Sequence, residues 1–388
     1  MLKQIGQYKI LNELGTGGMG VVYRALDTEL GREVALKRLR SEFAASPKVL
    51  ERFRNEAKSQ SMLNHPNITQ LYSTVQVNDA FCIVMEFVRG VTVHELLPLQ
   101  WEHAVAILLQ ILAALECAHN NGVLHRDIKP ENVLVDASGT VKVMDFGIAY
   151  TIGAQRMTRE KSLVGTMEYM PPERILGNEL TARSDIYSVG IMLFEMLSGR
   201  LPFGTMSEYD LLRWQVEQDA PPVTSLVDVP RVLEDVIARA MRKDPEQRYA
   251  SCCAMSEELS GLLPAGTKLQ SLLIPLVRER VEAVSIFDPA ACFKNVRDAV
   301  LRGEMAAAEN ILRSAANRHP AEAELQHYKT LVSRAILEAE RTQSPRRAEA
   351  IRQLLKVVAM EKSCGADAGV ELARMREEWK GTHLAELL

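Results

Sequence analysis

The chain changes character near residue 100, and that change limits its fold more than any other feature. Before it come short apolar, β-branched or aromatic runs at 8–14, 21–25, 33–39, 71–77 and 81–87. Runs of this length and composition, bounded by Gly, Asn and Asp, read as strands. After it, Val105, Leu108, Leu109, Leu112 and Leu115 recur at helical spacing, and most of the following sequence reads as helix. The expected class is α+β, with a strand-rich part first and a helical part second.

One helix belongs with the early strands. Ser46-Pro47 supplies an N-cap and a proline at the first helical position, and Val49, Leu50, Phe53 and Ala57 follow. It should stop before His65-Pro66, because proline disfavours helix in the residue ahead of it. Two short strands, 133–135 and 141–144, return around the turn Ala137-Ser138-Gly139, and 186–197 is a strongly apolar helix. A polar loop covers 150–166, and Pro264-Ala265-Gly266 breaks the chain before an Ala/Glu/Arg/Leu-rich tail. The expected division is 1–264, a linker at 265–288 and a helical region at 289–388.

With 388 residues, 47% of them hydrophobic and 25% charged, the chain has ample material for a core, which excludes bulk disorder. Its 46 basic and 50 acidic residues leave a formal charge of −4, so nothing points to nucleic acid or an anionic membrane surface. The longest apolar run, 104–115, is short for a membrane span and is interrupted by Gln110. No continuous apolar stretch of the signal-peptide kind opens the chain. Six scattered cysteines form no CxxC pair, as expected of free thiols in a reducing cytoplasm.

Gly15, Gly17 and Gly20 form GxGxxG. A dinucleotide-binding fingerprint needs a helix next, whereas Val21-Val22-Tyr23 favours a strand. The glycines then read either as a plain turn or as a flap whose N–H groups approach phosphates unobstructed by Cβ. Lys37 ends the run Val34-Ala35-Leu36-Lys37, where it either points to solvent or holds phosphates. The second role needs an acidic partner, for which Glu56 is the candidate and Glu51 the competitor.

The segment His125-Arg126-Asp127-Ile128-Lys129-Pro130-Glu131-Asn132 carries the strongest chemical signal, and Asp145-Phe146-Gly147 begins 13 residues after Asn132. With these parts in this order, the chain resembles the eukaryotic-type protein kinases over residues 8–263. Its glycine segment and the stretch Val84-Met85-Glu86-Phe87-Val88-Arg89-Gly90 are most similar to bacterial members. The resemblance implies a bilobal fold, an antiparallel β lobe over a mainly helical lobe with ATP between them. It implies that Asp127 receives or orients the substrate hydroxyl proton and that Lys129 stabilises the transferring phosphoryl group. Asn132 and Asp145 would hold Mg2+, Lys37 would position the nucleotide, and Glu56 would hold Lys37. Val22 and Ala35 would cover the adenine beside Met85, with backbone contacts from Glu86 and Val88. Lys129 and Thr166 imply serine/threonine specificity for protein substrates.

Further likenesses extend to the end of that region. Asp185 resembles the aspartate that braces the catalytic loop, and Arg248 resembles the arginine that pairs with Glu173. Pro171 stands where the family usually has alanine. Arg126 implies a loop regulated by phosphorylation, for which Thr158 and Ser162 are the best-placed acceptors, unless they are ordinary loop hydroxyls. A pseudokinase scaffold is the rival reading, but it would be favoured by loss of Lys37, Asp127 or Asp145, and all are present. A small-molecule phosphotransferase usually lacks the full activation segment, so Thr166, Glu173 and Arg248 argue against it.

In the tail, Gly303, Ala308, Leu312, Ala315 and Pro320 match the second half of a tetratricopeptide-type hairpin, while Cys292 stands where an aromatic is usual. The region is either a degenerate repeat or a generic helical bundle. Residues 265–388 could bind a protein partner, form a dimer contact or restrain the kinase.

Overall fold

The computed structural model describes residues 4–16, 20–44, 47–77, 80–146, 167–204 and 206–285. At helical positions 42, 44, 47–49, 52, 56, 279 and 281–285 it describes the backbone alone. Gly17, Thr158, Ser162, Thr166 and the region 289–388 lie outside the described residues. The chain divides into two compact units, Met1–Leu11 with Thr16–Glu282, and Asn12–Gly15 with Ala283–Leu388. The first unit carries both lobes and the catalytic-loop candidates.

The early strands form β1 (Gln4–Ile5), β2 (Tyr8–Thr16), β3 (Gly20–Asp27), β4 (Arg32–Leu39), β5 (Leu71–Val77) and β6 (Ala80–Glu86). They make one sheet in the order β1-β2-β3-β4-β6-β5. Two helices interrupt them, α1 (Ser41–Ala44) and α2 (Pro47–Ser61), the latter starting at the proline expected to start it. The strand period sorts the side chains to two faces. Ala35, Ile83 and Met85 pack with Phe53 and Ala57 of α2, where Phe53 meets Phe81 edge-on at 6.4 Å. Val34, Leu36, Cys82 and Val84 pack on the opposite face with Ile5 and Tyr8. Gly20 has a steric reason to be glycine, since a Cβ there would lie 2.0 Å from the Arg38 carbonyl oxygen across the β3–β4 ladder.

The second lobe gathers around α4 (Trp101–Asn120), preceded by β7 (Gly90–Thr92) and α3 (Val93–Leu96). Neither of these short elements was legible in the sequence. By length and composition α4 could cross a membrane, more than the run 104–115 suggested, but two-thirds (67%) of its apolar window is buried. It is the central core helix of this lobe. After it come the hairpin β8 (Val133–Asp136) and β9 (Val141–Val143), α5 (Pro172–Ile175), α6 (Ala182–Ser198), α7 (Glu208–Glu217), α8 (Arg231–Ala240) and α9 (Cys252–Ser260), of which β9, α6 and α9 pack directly on α4. Each fully buried Leu, Ile or Phe in such a core stabilises the fold by about 1.5–3 kcal/mol.

Gln110, the polar break in that helix, is buried and fully used. Its Oε1 accepts from Asn67 Nδ2 at 3.0 Å and from the Val141 N–H at 3.1 Å, and its Nε2 donates to the Gly139 carbonyl at 3.2 Å. One side chain thus closes the β8–β9 turn onto α4. A last helix, α10 (Leu269–Ser285), covers the same turn. Its Leu273 and Val277 are fully buried in the helical core, and a Cβ on Gly139 (φ +78°) would meet the Gln270 carbonyl at 2.2 Å.

Glu173 and Arg248 form a buried fork, with both Arg248 Nη atoms 2.8 Å from the carboxylate oxygens. Arg248 also donates to the carbonyls of Arg183, Arg242 and Lys243, and Ser184 Oγ donates to Glu173 at 2.6 Å. Burial works to raise the Glu173 pKa, but the bonds from Arg248 and Ser184 outweigh it and leave the carboxyl below its ordinary value. Glu173→Gln strands the Arg248 charge and should lower stability by about 3–5 kcal/mol in calorimetry. The wild-type contribution is complete above the ordinary glutamate range and is lost as pH falls through the lower folded value. Acid unfolding should therefore show this step in the wild type and lack it in Glu173→Gln.

Candidate active site

The catalytic-loop candidates converge between the two lobes. Asp127 Oδ2 lies 3.2 Å from Lys129 Nζ and accepts from Asn132 Nδ2 at 2.9 Å. The same Asn132 amide donates to the Asp127 carbonyl at 2.8 Å, which curls the loop into a tight cradle. His125, fully buried, braces it: its Nδ1 accepts from the Asp127 N–H at 3.3 Å, so its Nε2 donates to the Met144 carbonyl at 2.8 Å. Burial lowers the His125 pKa, and the imidazole works as a neutral strut. Its ring also packs on Phe146 at 4.6 Å.

Beneath the loop, Asp185 in the first turn of α6 collects donors. It accepts from the His125 and Arg126 N–H groups at 2.9 and 2.8 Å and from His119 Nε2 at 2.8 Å. Burial would raise its pKa, but His119 leads the contacts that hold it lowered, so the carboxylate stays charged. Arg126 takes a left-handed conformation (φ 67°), as does Asp145 (φ 59°); no other described non-glycine residue does. Side chains rarely adopt that region, and such strain persists only where surrounding bonds enforce it.

From the upper lobe, β4 delivers Lys37. The register pairs Ala35 with Met85 and Lys37 with Ile83, so Ala35 and Lys37 share the cleft-side face with Met85, and Val22 packs beside them. Lys37 Nζ binds Asp145 Oδ1 at 2.7 Å. Burial pushes Asp145 up, and the Lys37 ammonium reverses this and leaves it lowered. Glu56 lies on α2 with only its backbone described. Glu86 turns its carboxylate away to Lys142 Nζ at 2.9 Å, consistent with a position whose backbone rather than side chain faces the cleft. Gly15 is the next-to-last residue of β2, and Val88 follows β6 half-buried.

A divalent metal fits this donor set. Asn132 spends its amide N–H groups on Asp127, and Asp145 spends Oδ1 on Lys37. Among the described residues this leaves Asn132 Oδ1 and Asp145 Oδ2 unpartnered. Both are hard oxygens of the kind Mg2+ accepts alongside phosphates and water.

A sequence profile of the protein kinase domain matches residues 8–259. The chain belongs to the protein kinase family. PrkC of Bacillus subtilis (strain 168), a serine/threonine-protein kinase, is 40% identical over 259 residues, covering 66% of this chain and 40% of its own length. PknA of Mycobacterium tuberculosis (strain ATCC 25177 / H37Ra), also a serine/threonine-protein kinase, is 38% identical over 255 residues, covering 63% of this chain and 59% of its own. Among solved structures, the Mycobacterium tuberculosis PknI kinase domain superposes with a TM-score of 0.54 at 23% identity, over 68% of this chain and 99% of that one. That likeness is one of fold. The chain spans about 40% of the length of the first curated relatives it matches. Membership of the family implies use of ATP and a divalent metal.

Sequence reading missed His119, which was given no role, and Arg174, whose Nη1 reaches the Arg126 carbonyl at 3.0 Å. Both act on the loop across 48 residues or more, and no local pattern marks such a partner. Asp185→Asn keeps the shape but replaces an acceptor oxygen by a donor. Loop displacement should cost kcat roughly 100-fold, with ATP KM near wild type, in steady-state phosphotransfer assays.

Proposed function

We propose that this chain is a serine/threonine protein kinase that moves the γ-phosphoryl group of ATP to a protein hydroxyl. The observation that carries this reading is the Asp127–Lys129–Asn132 cradle, braced by Asp185 and facing the Lys37–Asp145 pair. Phosphoryl transfer demands positioning and charge neutralisation more than covalent help. Asp127 receives the hydroxyl proton as the new O–P bond forms and the bond to the bridging oxygen of ADP breaks. Lys129 offsets charge on the transferring group, and Lys37 holds the nucleotide phosphates, with Glu56 as its orienting partner. Gly15, Gly17 and Gly20 cover the phosphates. Val22, Ala35 and Met85 enclose the adenine, with backbone contacts from Glu86 and Val88. Asn132 and Asp145 would hold Mg2+, which would supply further neutralisation of the phosphates. Thr166 steadies the acceptor side.

Serine/threonine preference follows from Lys129 beside Asp127 and from the names of the relatives. Thr158 and Ser162 are the proposed sites of activating autophosphorylation, read through Arg126. In this reading residues 1–264 carry catalysis in the cytoplasm. Residues 265–288 join them to 289–388, a partner-binding or dimer-forming region. Leu273 and Val277 anchor that joint to the helical lobe. The scaffold alternative gains nothing, since Lys37, Asp127 and Asp145 are all in place.

The test incubates the full chain with ATP and Mg2+ and maps phosphosites by mass spectrometry, with Asp127→Asn in parallel. Phosphoserine or phosphothreonine, including Thr158 or Ser162, should form in the wild type, and about 100- to 10,000-fold more slowly in the variant. Equal labelling of both proteins would overturn the reading.

A further inference from the structure

Strand register places charge at the rim of the cleft. On β4, Glu33 stands on the same face as Ala35 and Lys37, and on β3 Arg24 pairs directly with Ala35. Val22, Ala35 and Met85 form the apolar wall proposed to enclose the adenine, and Phe87 packs against the same cluster. Arg24 and Glu33 therefore begin where that wall ends. Lys37 lies four residues further along β4, about 13 Å from Glu33, so its pairing with Asp145 belongs to the other end of the cleft.

Glu33 accepts two guanidinium groups. Arg24 Nη2 donates to Oε1 at 2.5 Å, and Arg89 Nη2 donates to Oε2 at 2.7 Å. These bonds, Arg24 first, hold the Glu33 carboxyl below its ordinary range, so it is charged at neutral pH. The Arg24 guanidinium carbon also sits 5.0 Å from the centre of the Phe87 ring, within cation–π range. Its Nε is buried with no acceptor among the described residues, which leaves Glu33 and Phe87 to hold the side chain.

The partners come from both sides of the connection between the lobes. Arg24 and Glu33 belong to the upper sheet. Phe87 follows β6 and lies between Glu86 and Val88, whose backbones are the proposed adenine contacts. Arg89 precedes β7, which pairs with β8 in the lower lobe. One carboxylate thus ties the upper sheet to the chain entering the lower lobe and, through Arg24, to the ring in the middle of the connection.

The two bonds differ in weight. The Arg89 side chain is 73% exposed, and an exposed ion pair contributes little. The Arg24 side chain is 33% exposed and packs on a ring, so its bond to Glu33 is the firmer one. The geometry points to Glu33 and Arg24 as positioning residues that set the connection 87–89 against the nucleotide base, with Arg89 as a weaker outer tie. The proposal rests on the protein-kinase reading above. It adds residues that tune nucleotide affinity without touching the phosphates.

The test uses the full chain, with calorimetric titration of ADP and Mg2+ beside steady-state phosphotransfer to a generic acceptor protein. Glu33→Gln keeps the shape and removes the charge. It should weaken ADP binding and raise the ATP KM about 5-fold, with kcat changed less than about 2-fold. Arg89→Ala should shift affinity less than about 2-fold. Arg24→Glu should lose at least as much affinity as Glu33→Gln. Adding Glu33→Arg to Arg24→Glu restores an opposite-charge pair on the same strands and should recover most of that loss, which a merely loosened fold cannot do. Unchanged ADP binding and ATP KM in both Glu33→Gln and Arg24→Glu would overturn the positioning role and leave the kinase reading in place. So would a charge-swapped protein that binds no better than Arg24→Glu alone. Losses in kcat as large as those in affinity would make the cluster a structural tie only, against the proposal. A wild type that binds no adenine nucleotide and transfers no phosphate would overturn the kinase reading with it.

Discussion

The buried carboxylate of Asp185 is the interaction on which the candidate active site depends. It stands in the first turn of α6, where the positive end of the helix dipole favours an anion. Two backbone N–H groups and His119 Nε2 converge on it, so one charge ties the end of α4, the start of α6 and the catalytic loop together. Those bonds also hold Arg126 in its left-handed conformation, and the following residue is Asp127. A charge buried this way is stable only because every neighbour is a donor. His119 is itself supported, with the Cys252 thiol 3.7 Å from its Nδ1.

The Lys37–Asp145 pair does for the cleft what Asp185 does for the loop. Lys37 comes from the sheet and Asp145 from the segment after β9, so an ion pair of 2.7 Å joins the two lobes across the cleft proposed to hold the nucleotide. The sheet side of this contact is set by register. A shift of one residue in β4 would turn Lys37 and Ala35 to the opposite face, where Val34 and Leu36 now pack with Tyr8 and Val84. Gly20 keeps β3 close enough to β4 for that register to hold. Packing in the upper lobe and charge placement in the cleft are therefore one problem with one solution.

The firmness of the segment from Met167 onward comes from several weak links in parallel. Gln215 holds two of its carbonyls, Ser188 a third, and Tyr169 reaches Glu195. The Glu173–Arg248 fork then anchors its end in the core. The proposed transfer to a protein hydroxyl would need such a platform, because orientation of the hydroxyl accounts for much of the rate.

Much of this was legible in the sequence where the signal is local. Strand composition marked β2 to β6, proline marked the start of α2, and the catalytic segment with its following Asp145 marked the family, because that chemistry requires particular residue types at short spacing. Lys37, Asp127, Lys129, Asn132 and Asp145 were candidates through the family resemblance that this pattern carries. What only the tertiary structure decided are the interactions between residues far apart in the chain. Those include the closure of the β8–β9 turn by Gln110, the grip of His119 on Asp185 and the hold of Arg174 on Arg126. The physical reason is that such contacts depend on how helices pack in space. A buried glutamine or a bracing histidine looks in sequence like any other polar residue on a helix or loop.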